Sequence, residues 1–323
     1  MMTNTTEKID SEHFTLVDKL VRGIGKVLLG KEEKIKKVLS AFLASGHILI
    51  EDVPGVGKTT LVRALGQVLG LQLSRIQFTA DLLPTDITGV QAWDSGSKSF
   101  SFRKGPIFAE LVLADEINRA SPKTQSALLE AMAEKQISID EMTLSLPGLF
   151  TVIATQNPTE HHGTYPLPES QLDRFMIRLD LGYLEEALEK SLLLSAQKPL
   201  NEINETVSLV TGDTLVAMRD AIGSVHIESS VADYILSLVS QTRKHPDLSL
   251  GCSTRGAMDF AAMSRAYAFV SGRDYILVDD VKEIATLVLA HRLVLAQPRM
   301  DASDRFRCLE IVDGLLRQTP VPR

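Results

Sequence analysis

The stretch Ile48-Leu49-Ile50-Glu51-Asp52-Val53-Pro54-Gly55-Val56-Gly57-Lys58-Thr59-Thr60 constrains this chain more than any other. An aliphatic run leads into a glycine-punctuated turn, then into a helical pattern whose apolar face is Leu61, Leu65, Val68 and Leu69. Strand, tight loop and helix together let main-chain N–H groups and the positive end of a helix face a phosphate. Gly55 and Gly57 permit close approach, Lys58 can reach β- and γ-phosphates, and the Thr59 hydroxyl can ligate magnesium. Asp52, Val53, Pro54, Val56 and Thr60 complete the candidate nucleotide cradle. One position departs from the strict G-x-x-x-x-G-K-[ST] pattern: Asp52 stands where it begins with glycine. An ordinary glycine-rich turn between strand and helix is the plain alternative for the loop taken alone.

Two further signals follow in order. Leu111-Val112-Leu113-Ala114-Asp115-Glu116 reads as a buried strand ending in adjacent acids. Asp115 at the strand's C-terminal edge can hold a magnesium shell, and Glu116 can act as general base or position an attacking water. A third run, Phe150 to Thr155, leads into Gln156-Asn157-Pro158, where the Asn157 amide could orient the same water. Singly, these are a solvated strand end and a turn residue before proline. Jointly, at the C-terminal ends of strands, they converge on one crevice of an open α/β sheet and imply nucleotide hydrolysis.

The chain has 323 residues, enough for about two domains of roughly 150 residues. Apolar runs predict strands over 47–51, 73–78, 110–115, 149–155 and 175–181, alternating with helical patterns, hence a five-stranded parallel sheet. Beyond Gly182 the runs 228–245, 254–270 and 279–296 have helical spacing, so an α/β core over 1–182 is expected to precede a smaller all-helical domain over 183–323. Lys198-Pro199, Thr211-Gly212-Asp213, His245-Pro246 and Ser271-Gly272 mark breaks within it. Alternation over 89–104 around Ser95-Gly96 and over 136–147 around Asp140-Glu141 predicts two β-hairpins, the second with Ile137 and Ile139 against Leu144 and Leu146.

Composition limits the alternatives. A net charge of −7 argues against a generally basic nucleic-acid surface. Two cysteines, Cys252 and Cys308, build neither a disulfide framework nor a four-cysteine zinc site. His161 and His162 lack further ligands nearby and read as loop residues. No apolar stretch reaches bilayer length and the N-terminus is unlike a signal peptide, so a cytoplasmic location is expected.

Asp52 to Thr60, Phe78 to Pro84, Gly105 to Phe108, Leu113 to Ala131 and Ala154 to Phe175 resemble the MoxR family of AAA+ ATPases, a helix-two-insert group of P-loop NTPases. The most specific stretches are Ala114-Asp115-Glu116-Ile117-Asn118-Arg119-Ala120 and Gly163 to Phe175. The resemblance implies a ring, commonly a hexamer, with ATP and Mg2+ between subunits. Turnover would drive chaperone-like remodelling or assembly of partners, often von Willebrand factor A domain proteins. It makes the two hairpins the helix-two insert and the pre-sensor hairpin near a central pore, with Trp93 either facing the pore or packed on the sheet. It carries a trans-acting arginine finger onto Arg174, with Arg119 and Arg178 as lesser candidates. It carries a second sensor acting in cis onto Arg255 of Ser253-Thr254-Arg255-Gly256-Ala257, and backbone contacts to adenine onto Leu29 and Gly30.

Three rival readings remain at this level. Asp86-Ile87-Thr88-Gly89 offers an Asp-x-x-Gly to a GTPase switch, but no Asn-Lys-x-Asp guanine reader occurs. Lys98, Arg103 and Lys104 give the first hairpin positive charge that a DNA-translocating motor would use. A scaffold that does not hydrolyse is disfavoured by the joint presence of Lys58, Asp115, Glu116 and Arg174.

Overall fold

The computed structural model describes residues 11–96, 98–139, 142–157, 163–194, 208–299 and 302–322. Its centre is a five-stranded parallel sheet of β1 (Ile48–Glu51), β2 (Leu73–Gln77), β5 (Leu111–Asp115), β8 (Thr151–Gln156) and β9 (Ile177–Leu179). The strands lie in the order β2-β5-β8-β1-β9. Every residue of β1 and β5 is buried, as expected of aliphatic runs covered on both faces. β9 is shorter than its apolar run because side chains claim its flanks. Phe175 and Met176 give their carbonyls to Arg292, and the Leu181 N–H donates to Asp52.

Helices α1 (Ser11–Gly25), α2 (Glu32–Leu43) and α3 (Lys58–Leu69) cover one face of the sheet, and α5 (Pro122–Glu134) packs in the core of the other. Short α4 (Pro84–Thr88) leads into the first hairpin, β3 (Gly89–Asp94) and β4 (Ser99–Lys104). The second hairpin pairs β6 (Gln136–Ile139) with β7 (Met142–Ser145), with Ile137 opposite Leu144 and Ile139 opposite Met142. Trp93 is not packed on the sheet: it is 55% exposed and meets Phe100 edge-on at 5.2 Å. The Asp140-Glu141 turn, His161, His162 and Lys198-Pro199 lie outside the described residues.

After the short α6 (Glu169–Leu172) and α7 (Glu186–Leu194) come α8 (Gly212–Gly223), α9 (Ser229–Lys244), α10 (Thr254–Val270), α11 (Val278–Leu289) and α12 (Ala302–Gln318). The Thr211 hydroxyl accepts from Thr214 N–H to cap α8, so the predicted break there is a helix start. The helical reading of 279–296 runs too far. The chain leaves α11 at Leu289, makes a 3-10 turn over Ala290–Arg292, and pairs β11 (Val294–Leu295) with β10 (Leu248–Leu250). This antiparallel ribbon is a small addition to an otherwise helical region.

The helical region shares one continuous apolar cluster with α1, α2, α3 and the sheet. Two arginines fasten the seam. Arg219 of α8 lies over the Phe42 ring and donates to the carbonyls of Phe42 and Gly148, while burial lowers its pKa to about 10. Arg292, with a side chain 1% exposed, pairs with Asp173 and Asp259 and donates to the carbonyls of Phe175, Met176 and Val288. His47, just before β1, is held at about pKa 4 by burial and therefore stays neutral. Its Nδ1 accepts from Val152 N–H while Nε2 faces the Met132 carbonyl, a structural role.

Candidate functional site

The loop between β1 and α3 has the shape its glycines foretell. Gly55 and Gly57 sit at φ of 87° and 95°, in the left-handed region that a side chain disfavours. No side chain caps the start of α3, so its first N–H groups point toward a place where an anion would satisfy them. Lys58 curls back over the loop, and its ammonium donates to the carbonyls of Asp52 at 2.5 Å and Val53 at 3.1 Å. Thr59 and Thr60 follow in the first turn, partly exposed. Leu28, just before Leu29 and Gly30 in the chain, packs on the loop, since a Cβ placed on Gly57 would meet its Cδ1 at 3.2 Å.

Asp52 faces away from that anion-accepting concavity. Its Oδ1 accepts from Val53 N–H at 2.7 Å, and its Oδ2 accepts from Leu181 and Gly182 N–H at 2.8 and 2.7 Å. The carboxylate thus ties the root of the loop to the end of β9. The side chain absent from the strict motif serves as a clamp on the backbone.

Asp115 and Glu116 end β5 one strand away from β8. Thr155 of β8 donates its hydroxyl to Asp115 Oδ1 at 2.6 Å and accepts from Glu116 N–H at 2.9 Å. Glu116 sits at φ 59°, so the chain turns sharply after the strand and carries its carboxylate over the sheet edge. Asn157 follows β8 directly and is buried. Because Glu51 pairs with Gln156 and Ala114 with Ala154, the ends of β1, β8 and β5 stand side by side. The loop, both acids and Asn157 therefore share one crevice. Thr59 and Asp115 offer hard oxygen donors suited to magnesium. No group of three or more His, Cys, Asp or Glu that could hold a metal occurs among the described residues, so a cation here would take most ligands from phosphates and water.

Arg174 and Arg255 lie elsewhere. Arg174 follows α6 just before β9, and its Nη1 donates to the Leu129 carbonyl of α5 at 2.5 Å. Arg255 is exposed in the first turn of α10. Ser253, which caps that helix, donates to Asp173, and Asp173 pairs with Arg292 beside the carbonyls of Phe175 and Met176. These contacts hold Arg255 by the N-terminal edge of the sheet, whereas the phosphate loop is at the C-terminal edge. The cis placement expected for Arg255 is thus not met, and Arg255 instead shares a flank with Arg174. Arg178 forms an ion pair with Glu51 inside its own subunit, and Arg119 lies 3.3 Å from Glu116.

Sequence reasoning missed Arg75 and Gln77 on β2, which contact Asp115 and Glu116 respectively. They alternate with buried Ile76 and so share the opposite face, but only the strand order shows that this face meets the acids. Arg305 of α12 was also missed; it lies 3.6 Å from Glu51 and 3.9 Å from Asp180. The two most specific stretches touch as well: Gln125 donates to the carbonyls of Ile117 and Tyr165, and Tyr165 N–H to that of Asn118.

Comparison with known proteins agrees with this layout. A profile described as ATPase family associated with various cellular activities (AAA) matches residues 47–177, and one described as AAA lid domain matches 240–307. A Bacillus subtilis protein named YeaC is 45% identical over 87% of this chain and 87% of its own. The chaperone MoxR1 of Mycobacterium tuberculosis is 36% identical over 98% of this chain and 85% of its own. A crystal structure from Cytophaga hutchinsonii superimposes with a TM-score of 0.85 at 35% identity, covering 97% of this chain and 96% of that one.

Proposed function

Because this chain belongs to the MoxR family of AAA+ ATPases, we propose that it hydrolyses Mg2+-bound ATP between subunits of a ring and uses the turnover to remodel or assemble partner proteins. The observation that carries the reading is the single crevice holding the Gly55–Thr59 loop, Asp115, Glu116 and Asn157. N–H groups of the loop bind the β- and γ-phosphates, and Lys58 exchanges two carbonyls for phosphate oxygens. Thr59 and Asp115 would hold the metal, which when bound supplies positive charge to the phosphate oxygens. Glu116 takes the proton of the attacking water and Asn157 orients that water. Leu29 and Gly30, which follow Leu28 in the chain, give main-chain contacts to adenine.

Arg174 reaches the γ-phosphate of the adjoining subunit, and its shared flank with Arg255 supports a trans role for both. The two-sided arrangement is compatible with head-to-tail ring closure, and the family resemblance makes that ring a hexamer. The functional division falls between 182 and 183, core before lid. The exposed Trp93–Phe100 pair supports a client-contacting role for the first hairpin near the pore, with a von Willebrand factor A domain protein as one such partner. Similarity to a chaperone favours a protein client over nucleic acid, as does the net charge of −7. No helix among the described residues is long and apolar enough to cross a membrane, and we assign the ring to the cytoplasm.

Glu116→Gln tests the core of this reading. Steady-state ATP turnover should fall by about 10²–10⁴ while ATP binding persists, because the proton acceptor is lost and the phosphate cradle is not. Unchanged turnover would remove Glu116 from the mechanism.

A further inference from the structure

Both acids at the end of β5 are engaged by side chains of the neighbouring strands. Asp115 Oδ2 accepts from Arg75 Nη2 at 2.7 Å and from Nε at 3.1 Å, while Oδ1 is taken by Thr155. Glu116 Oε2 accepts from Gln77 Nε2 at 2.8 Å. The same Arg75 Nη2 donates to Gln77 Oε1 at 2.9 Å. One continuous chain, Asp115 to Arg75 to Gln77 to Glu116, therefore joins the two acids through β2.

The pair is built to be displaced. Asp115's side chain is 11% exposed but Arg75's is 47% exposed, so the guanidinium stays half in water and little stability depends on it. A divalent cation at the same carboxylate outweighs a single delocalised positive charge. When Arg75 leaves Asp115, Gln77 loses the bond that orients its amide toward Glu116.

We propose that Arg75 is a positioning residue that competes with the cation for Asp115, so that its displacement sets the magnesium requirement and loosens Gln77's hold on Glu116. The proposal rests on the reading of Asp115 as a metal-holding residue. Arg75 is then a built-in competitor, and the hold of Gln77 on the base loosens in step with arrival of the metal.

The test is magnesium titration of a fluorescent ATP analogue bound to full-length wild type, Arg75→Ala, Arg75→Lys and Asp115→Ala, read as nucleotide affinity. Arg75→Ala should reach half-maximal affinity at a magnesium concentration at least about fivefold lower, the lower end of typical couplings between sites. Arg75→Lys, which keeps charge but loses the two-pronged contact and the bridge to Gln77, should fall between. Affinity in EDTA should match wild type in both. An unshifted or raised magnesium midpoint in either variant overturns the proposal, since an arginine that merely ties β2 to β5 would not lower it. Weaker binding in EDTA overturns it as well, by making Arg75 a phosphate ligand. If wild type itself shows no magnesium dependence, or Asp115→Ala keeps it in full, the reading of Asp115 fails instead.

Discussion

Replacing Asp52 by glycine would restore the first residue of the strict phosphate-loop pattern, yet it would remove a carboxylate that accepts N–H bonds from Val53, Leu181 and Gly182. Hydrogen bonds to a charged group are the stronger kind, and their buried donors would be left without a partner. Asp52→Gly should therefore cost about 3 kcal/mol of stability in a denaturant titration and slow turnover by loosening the loop. A variant as stable as the parent would show the clamp to be dispensable. The residues legible in the sequence were those marked by a local pattern, a backbone that needs glycine or a strand that ends in acids: Gly55, Gly57, Lys58, Asp115 and Glu116. The purpose of Asp52 was not legible, because two of its partners lie 129 and 130 residues away.

Among the elements, all five strands of the sheet were foretold from the sequence, most clearly β1, β5 and β8, since strands buried on both faces write themselves as nearly unbroken apolar sequence. Their lateral order carries no local signature, which is why the Arg75 and Gln77 contacts to the acids went unseen. The run 279–296 was read as one helix from its spacing. The chain leaves that helix at Leu289 because His291 and Arg292 turn to the carbonyls before β9, a tertiary demand that overrides propensity. Arg292 is the element-scale keystone, pairing with Asp173 and Asp259 at the seam. Arg292→Ala takes the cation from both carboxylates, leaving Asp173 only its Ser253 bond, and should destabilise the fold by about 3–5 kcal/mol in denaturant unfolding. A loss under about 1 kcal/mol, the range of surface pairs, would show that the seam is held by apolar packing alone.

At the scale of the whole molecule, the subunit has two functional sides. The phosphate loop and acids lie along the C-terminal ends of β1, β8 and β5, while Ser253 and Asp173 hold the segment bearing Arg255 beside that bearing Arg174 at the other edge. On the proposed reading a subunit with its cradle on one side and its arginines on another does not complete its own site, and a closed ring would bring the two together. The reading of Arg174 as a trans finger came from the family resemblance and remains part of the proposal, whereas Arg255 was put in cis, because a helix N-terminus with an arginine says that an anion is near and not whose anion it is. The most direct measurement mixes Arg174→Ala with Glu116→Gln subunits, each purified and inactive, and follows ATP turnover. The account predicts that activity reappears on mixing, because intact acids of one subunit meet an intact arginine of the next. Turnover that stays absent in mixed assemblies, or Arg174→Ala protein that hydrolyses ATP at the parental rate, would contradict it.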